Sequence, residues 1–335
     1  MILNFEHRNA AHCETGVTSS LLRFYDYQLS EPMAFGIGAG LFFIYIPFVS
    51  LKGDMPKFSF RTMPGTIFGR VMKNLRVNIG VKHFSNREKA MEEMDELLAA
   101  GIPVGNVVGL YYLPYSPVRQ HFNFHNLCVI GKEGDEYVVS DPLYPVIQNL
   151  SYKDLKKVRF AEGLLKPRGK MYWIKEKPAL LDLSQAIVDG IKKTCKNMLD
   201  IPLPIFGVAG ISTLSKRVRN LDKKYGEKDA ALYLLKLVQL LEEFGTGGAG
   251  FRFMYSAFLQ EAAQVLNKPK LKDFAIEMSK IGNLWRQFAL ESGRKVKSRT
   301  NLSYGELADK LLEIAAAEKI FFVTLKKYIE TECKK

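Results

Sequence analysis

Three side chains carry most of the chemistry this sequence offers: Cys13, His125 and Asp141. Cys13 sits in NAAHCETGVTSSLL and starts a helical stripe that continues through Val17, Leu21, Phe24 and Tyr25. A thiol in the first turn of a helix meets partial positive charge and free N–H groups. Both favour the thiolate, which is the nucleophilic form. The plainer role for such a residue is a small buried side chain. His125 opens the strand HNLCVIG, and the turn Lys132-Glu133-Gly134 leads into EYVVSDP. A three-residue loop with Gly134 at its left-handed position makes Gly131 face Asp135 and His125 face Asp141. Directly opposed side chains have β-carbons about 5 Å apart, so Asp141 is placed to hold the imidazole in one tautomer. A four-residue loop would oppose Asp141 to Asn126 instead. A thiol, a base and an orienting carboxylate are the parts of nucleophilic acyl chemistry.

The elements that must position these groups follow from hydrophobic patterning. A helix is predicted over 87–100, stopped by Gly101. Strand-like runs follow at 103–113, 125–131, 136–140 and 170–174. A polar linker, Lys175-Glu176-Lys177-Pro178, places the domain boundary so that 1–177 and 178–335 fold separately. The second half predicts long amphipathic helices over 183–199, 229–244, 251–266, 271–290 and 305–330, which suits a bundle. The expected class is α+β, a mixed N-terminal domain followed by an all-helical one.

The 335 residues are 47% hydrophobic and 25% charged, the balance of a folded enzyme rather than a disordered chain. Four scattered cysteines exclude a disulfide scaffold, and with five dispersed histidines they give no zinc spacing. Met1–Arg8 (MILNFEHR) contains an acid and precedes no long apolar run, so it does not read as a secretory signal; a reducing cytoplasm is expected. Residues 33–51, MAFGIGAGLFFIYIPFVSL, are long enough to cross a bilayer. Gly36, Gly38, Gly40 and Pro47 argue instead for a buried loop and helix beside a cleft. The net charge of +13 is dispersed: residues 1–180 hold 22 basic and 17 acidic side chains, the remainder 26 and 18. Without a basic block this favours an acidic protein partner over nucleic acid.

The order cysteine at a helix start, strand histidine, then Asp-Pro on the next strand is similar to that of papain-like thiol enzymes. His125-x-x-x-Val129-x-Gly131 followed by Val139-x-Asp141-Pro142 resembles the bacteriocin-leader-peptidase branch. More narrowly, residues 10–175 resemble the butirosin biosynthesis protein H N-terminal family. The resemblance lies in His12-Cys13-Glu14-Thr15-Gly16, Ser30-Glu31, FGIGAGLFFIY (35–45), Gly101-Ile102-Pro103-Val104, YYLPY (111–115) and HFNFHNLCVIG (121–131). Residues 180–335, with GTGGAGFRFMYSAFLQEAA (245–263), resemble the helical partner domain of unknown function that follows it.

The resemblance implies a papain-like N-terminal domain and transfer of an acyl group from an acyl carrier protein thioester to a small-molecule amine or hydroxyl, in specialised metabolism or lipid synthesis. Cys13 would attack, His125 would move protons and Asp141 would orient it. No bound cofactor is expected; phosphopantetheine enters as the donor's arm. Papain-like peptidases place a glutamine a few residues before the nucleophile, where this chain has His7, so His7, Asn9 and His12 are the candidate oxyanion donors. Candidate substrate contacts are Gly36, Gly38 and Gly40, His121, and Gly247, Gly248, Arg252 and Tyr255. The last group begins a helix behind a glycine-rich turn, a place for a phosphate or carboxylate; the alternative is a turn needing positive φ. Rival functions are an amide or peptide hydrolase with the same triad, and a non-catalytic carrier- or lipid-binding module. A homo-oligomer is compatible with the sequence.

Overall fold

The computed structural model describes residues 1–47, 58–163, 165–179 and 181–333. In chain order these form α1 (Cys13–Phe24), α2 (Glu31–Ile37), β1 (Leu41–Tyr45), β2 (Phe58–Arg61), α3 (Ile67–Asn74), β3 (Ile79–Lys82), α4 (Arg87–Ala99) and β4 (Val104–Val108). They continue as β5 (His125–Glu133), β6 (Glu136–Ser140), β7 (Gln148–Ser151), α5 (Tyr152–Arg159) and β8 (Met171–Ile174). Six further helices follow: α6 (Leu183–Leu199), α7 (Gly207–Val218), α8 (Leu221–Glu242), α9 (Arg252–Val265), α10 (Lys270–Val296) and α11 (Tyr304–Glu332). Side-chain caps set several of the starts. Asn86 accepts from the Lys89 N–H at α4, Ser151 from Asp154 at α5, and Ser303 with Glu306 closes a capping box on α11.

The chain folds into two compact units. One comprises Met1–Ala34 and Pro64–Asp182, the other Phe35–Met63 and Leu183–Lys335. The last crossing, after 182, falls close to the expected boundary at 177, but a single cut does not separate the units, because 35–63 folds with the later helices.

The first unit is built on an antiparallel sheet of order β3-β8-β4-β5-β6-β7. Leu127 and Val129 of β5, Val104 and Val108 of β4, and Tyr137 and Val139 of β6 pack with Met91, Met94 and Leu98 of α4 and Leu155 and Val158 of α5 in one buried core. Helix α1 packs on β5 and α3 and buries Val17, Leu21 and Leu22. Such side chains contribute about 1.5–3 kcal/mol each when fully buried.

The β5–β6 turn is tighter than expected. Glu133 faces Glu136, leaving only Gly134 and Asp135 in the loop, with Gly134 at φ +58°. Glycine supplies that left-handed backbone without a side-chain clash. A bulge between Val129 and Gly131 then shifts the register, so that Cys128 faces Ser140. His125 and Asp141 are therefore not cross-strand partners. His125 pairs only with Val108 of β4, and Asp141 follows the last residue of β6.

Among the described residues the second unit is helical apart from one antiparallel strand pair, β1 with β2. Phe43 of β1 and Phe60 of β2 meet edge-on at 5.5 Å, and Phe60 meets Trp285 of α10 at 5.3 Å. Helix α8 is interrupted at Gly226, where φ is +76°. The apolar run 33–51 divides into the end of α2, a turn and β1, and its residues 48–51 lie outside the described set. Among the described residues no helix is long and apolar enough to cross a membrane.

Candidate active site

The start of α1 is held by polar contacts that fix Cys13 at the first helical position. His12 is the N-cap, its Nδ1 accepting from the Thr15 N–H at 3.4 Å. The Glu31 carboxylate accepts from the N–H groups of Ala11 and His12 at 2.9 and 2.7 Å and from the Thr15 hydroxyl at 3.0 Å. Burial pushes the Glu31 pKa up against these hydrogen bonds, which favour the charged form. Glu14 reaches the other way. Its carboxylate accepts from the N–H groups of Gly65, Ile67 and Phe68, at 2.9, 2.7 and 3.3 Å, and so caps α3.

Gly16 lets this turn approach the end of β6. A β-carbon there would fall 2.6 Å from Ala10 Cβ and 2.7 Å from Pro142 Cβ, and the Ala10 N–H donates to the Pro142 carbonyl at 2.8 Å. The thiol-bearing turn thus rests on the segment that carries Asp141. His125 Nε2 and Asp141 Oδ2 lie 2.7 Å apart, both buried. The same Oδ2 accepts from the Tyr115 hydroxyl at 2.9 Å, and Oδ1 accepts from the Leu143 N–H at 3.1 Å. Burial lowers the His125 pKa, but the Asp141 charge and hydrogen bonds with Asp141 and the Cys13 side chain raise it further, to about 10. With Nε2 taken by Asp141, Nδ1 is the ring nitrogen left to serve the Cys13 sulfur.

The expected Cys13–His125–Asp141 grouping is therefore assembled in one place. Its pairing arises from the loop after β6 rather than from directly opposed strand positions.

The other candidates fall elsewhere. His7 uses both ring nitrogens away from the sulfur, Nδ1 with the Ser140 hydroxyl at 2.9 Å and Nε2 with the Tyr144 carbonyl at 3.0 Å. Asn9 is exposed, and His12 is the helix cap. His121 is exposed and stacks on Tyr111 at 4.0 Å. Gly36 and Gly40 belong to the second unit, where packing explains them. Added β-carbons would fall 2.1 Å from the Phe258 ring and 2.4 Å from the Phe35 ring, and Gly38 lies in the buried turn between them. Gly247 and Gly248 adopt φ of +64° and +86°, as the turn alternative requires. Arg252 is fully buried and bonds Glu318 through Nε at 2.8 Å and Nη2 at 3.1 Å, so its charge is already matched. Tyr255 is buried in the helical core.

Four polar residues at the site had no assigned part in the sequence reading: Tyr115, Asn126, Tyr172 and Glu31. Tyr115, Asn126 and Glu31 lie inside the stretches YYLPY, HFNFHNLCVIG and Ser30-Glu31 that carried the family resemblance, and that is the one signal that pointed at them.

The model of the butirosin biosynthesis protein H N-terminal family matches residues 12–142. It opens one residue before Cys13 and closes one after Asp141, enclosing the whole cluster. A domain of unknown function, DUF4872, matches residues 153–325. The chain belongs to the DUF4872 family, with a region matching the butirosin biosynthesis protein H N-terminal model ahead of that domain. The mixed helix-and-sheet fold sets the thiol at a helix start and the imidazole at a strand start, the papain-like arrangement of these two groups. Among solved structures it is similar to one described as a C39-like peptidase from Bacillus anthracis. That likeness has 14% identity and a TM-score of 0.37, over 53% of this chain and 98% of that one. No curated protein matches the chain.

Proposed function

We propose that the protein is a cysteine-dependent acyltransferase that moves an acyl group from an acyl carrier protein thioester to an amine or hydroxyl acceptor. The observation that carries this reading is the buried His125, tied to Asp141 at 2.7 Å through Nε2 and hydrogen-bonded to the Cys13 side chain. The thiol proton rests on His125, whose raised pKa keeps the imidazolium beside the sulfur, and the thiolate attacks the thioester carbonyl. As the donor's C–S bond breaks, the acyl group becomes bonded to Cys13, and the pantetheine thiolate departs and takes up the proton from His125, leaving the imidazole neutral. That thiolate is a good leaving group, so the demand falls on stabilising the tetrahedral oxyanion. The acceptor then attacks the acyl-cysteine, gives its proton to His125, and Cys13 leaves as thiolate. The match to the butirosin biosynthesis protein H N-terminal model supports acyl chemistry, a reducing cytoplasm suits a free thiol, and the phosphopantetheine arm belongs to the donor.

Incubation with acylated carrier protein, followed by intact mass measurement, tests the reading. The wild type is expected to gain the acyl mass at Cys13 and lose it to an added amine, while Cys13→Ala gains none. Discharge to water alone, with peptides or amides as better substrates, would put the hydrolase in place of the transferase. No adduct from any acyl donor would overturn the catalytic reading.

A further inference from the structure

Asn126 follows the histidine on β5 and is buried. Its carboxamide orientation is fixed by its neighbours. The Phe124 carbonyl lies 2.9 Å from Nδ2, and a carbonyl can only accept, so the NH2 group is the end that faces it. The opposite end, Oδ1, accepts from the Tyr172 hydroxyl at 2.8 Å. The Tyr172 ring is itself held: it packs on Phe68 at 4.4 Å, and a β-carbon at Gly105 would fall 2.2 Å from it. Burial keeps the Tyr172 hydroxyl protonated and therefore a donor. One hydrogen of the Asn126 NH2 group is used by Phe124. The second belongs to the same nitrogen, which lies 3.9 Å from Cys13 Sγ.

We infer that Asn126 is a positioning residue for the nucleophile, its locked carboxamide donating a hydrogen bond to the Cys13 thiolate. This inference rests on Cys13 being the nucleophile. A donor to sulfur is worth little while the thiol is neutral and more once the sulfur is charged. The carboxamide therefore favours the thiolate and limits the directions from which Sγ can attack. His125 and Asn126 divide the work. The imidazole exchanges protons, and the amide, which does not titrate, holds the charge they create. The groups at the sulfur are His125 with Asp141 behind it, Asn126 on the same strand and Tyr172 on β8, while Glu14, next to Cys13 on α1, is turned to the start of α3. Of these, Asn126 supplies an N–H donor whose strength does not change with pH.

The test is the pH dependence of Cys13 alkylation by iodoacetamide, read by peptide mass so that the other cysteines do not contribute. Wild type, Asn126→Leu and Tyr172→Phe are compared, each checked for wild-type circular dichroism. Asn126→Leu is expected to alkylate at Cys13 at least about tenfold more slowly at pH 6, with its profile displaced to higher pH. Tyr172→Phe, which removes one hydroxyl and frees the carboxamide to turn, is expected to move the same way by less. If Asn126→Leu does not fold, Tyr172→Phe decides alone. Folded variants whose profiles superimpose on the wild type overturn the inference and leave Cys13 as nucleophile. A wild-type Cys13 with the pH profile of an ordinary exposed thiol overturns the nucleophile reading itself, and this inference with it.

Discussion

Asp141 accepts three hydrogen bonds, from His125, the Tyr115 hydroxyl and the Leu143 N–H, a concentration that suits the orienting part proposed for it. His125→Ala is expected to lower acyl transfer by at least about 100-fold, because the thiol loses its base and the acceptor its proton carrier. Asp141→Asn should lose less, since the thiol and the imidazole remain in place. A pH signature separates the two roles. The His125 pKa is raised from 6.5 to about 10 in the fold, so its protonation stabilises the native state fully below 6.5 and progressively less as pH rises towards 10. The melting temperature of the wild type should therefore fall across that window more steeply than that of Asp141→Asn; parallel curves would show that Asp141 does not hold the proton on His125. Cys13, His125 and Asp141 were legible in the sequence because thiol, imidazole and carboxylate in that order have few other joint uses. Asn126 and Tyr172 were not legible. Amides and phenols are common, and only folding carries Asn126 across 113 positions to the sulfur.

The element that sets the site is α1, and its closest approach is at Gly16. Alanine there would gain helix propensity, about 1 kcal/mol, but its β-carbon would strike Ala10 and Pro142, and overpacking typically costs about 1–3 kcal/mol. Gly16→Ala is expected to melt below the wild type and to form acyl-enzyme more slowly. Gly69→Ala in α3, where nothing lies within 4 Å of an added β-carbon, is the comparison and should be neutral or stabilising. Equal melting temperatures for the two variants would show that α1 is not pressed against the Asp141 segment. The long helices were readable because their patterns run for several periods, and the four central strands because their runs are rich in β-branched and aromatic residues. Helix α7, GVAGISTLSKRV, follows two prolines and opens on glycine, so it reads as loop. Strand β1 is buried at every position and shows no alternation, while β3 and β7 are four residues each, too short to declare a period. The three-residue turn failed for a different reason. Gly134 serves a two-residue loop equally well, and the bulge that shifts the register leaves no mark in residue types.

At the scale of the molecule, an excess charge of +13 attracts an acidic carrier protein over distances set by salt. The screening length shrinks from about 10 Å at 0.1 M to about 3 Å at 1 M. The kcat/KM for an acyl carrier protein donor is expected to fall steeply over that range, whereas a small acyl-pantetheine, lacking the acidic surface, should change little. Identical salt responses would leave the charge as a solvated surface and remove the carrier from the proposal.

The division of the chain has a consequence for inheritance. The polypeptide passes between its units at 34/35, 63/64 and 182/183, so the stretch matched by the first family, 12–142, contains the 35–63 strand pair that completes the helical unit. A gene fragment beginning at 183 would encode Trp285 without the Phe43 and Phe60 rings it packs on, and one ending there would encode that strand pair without its helices. The two sequence families in this chain are not beads that recombination can restring. The match over 12–142 carries the strand pair of the helical unit, and the match over 153–325 carries β8 of the sheet.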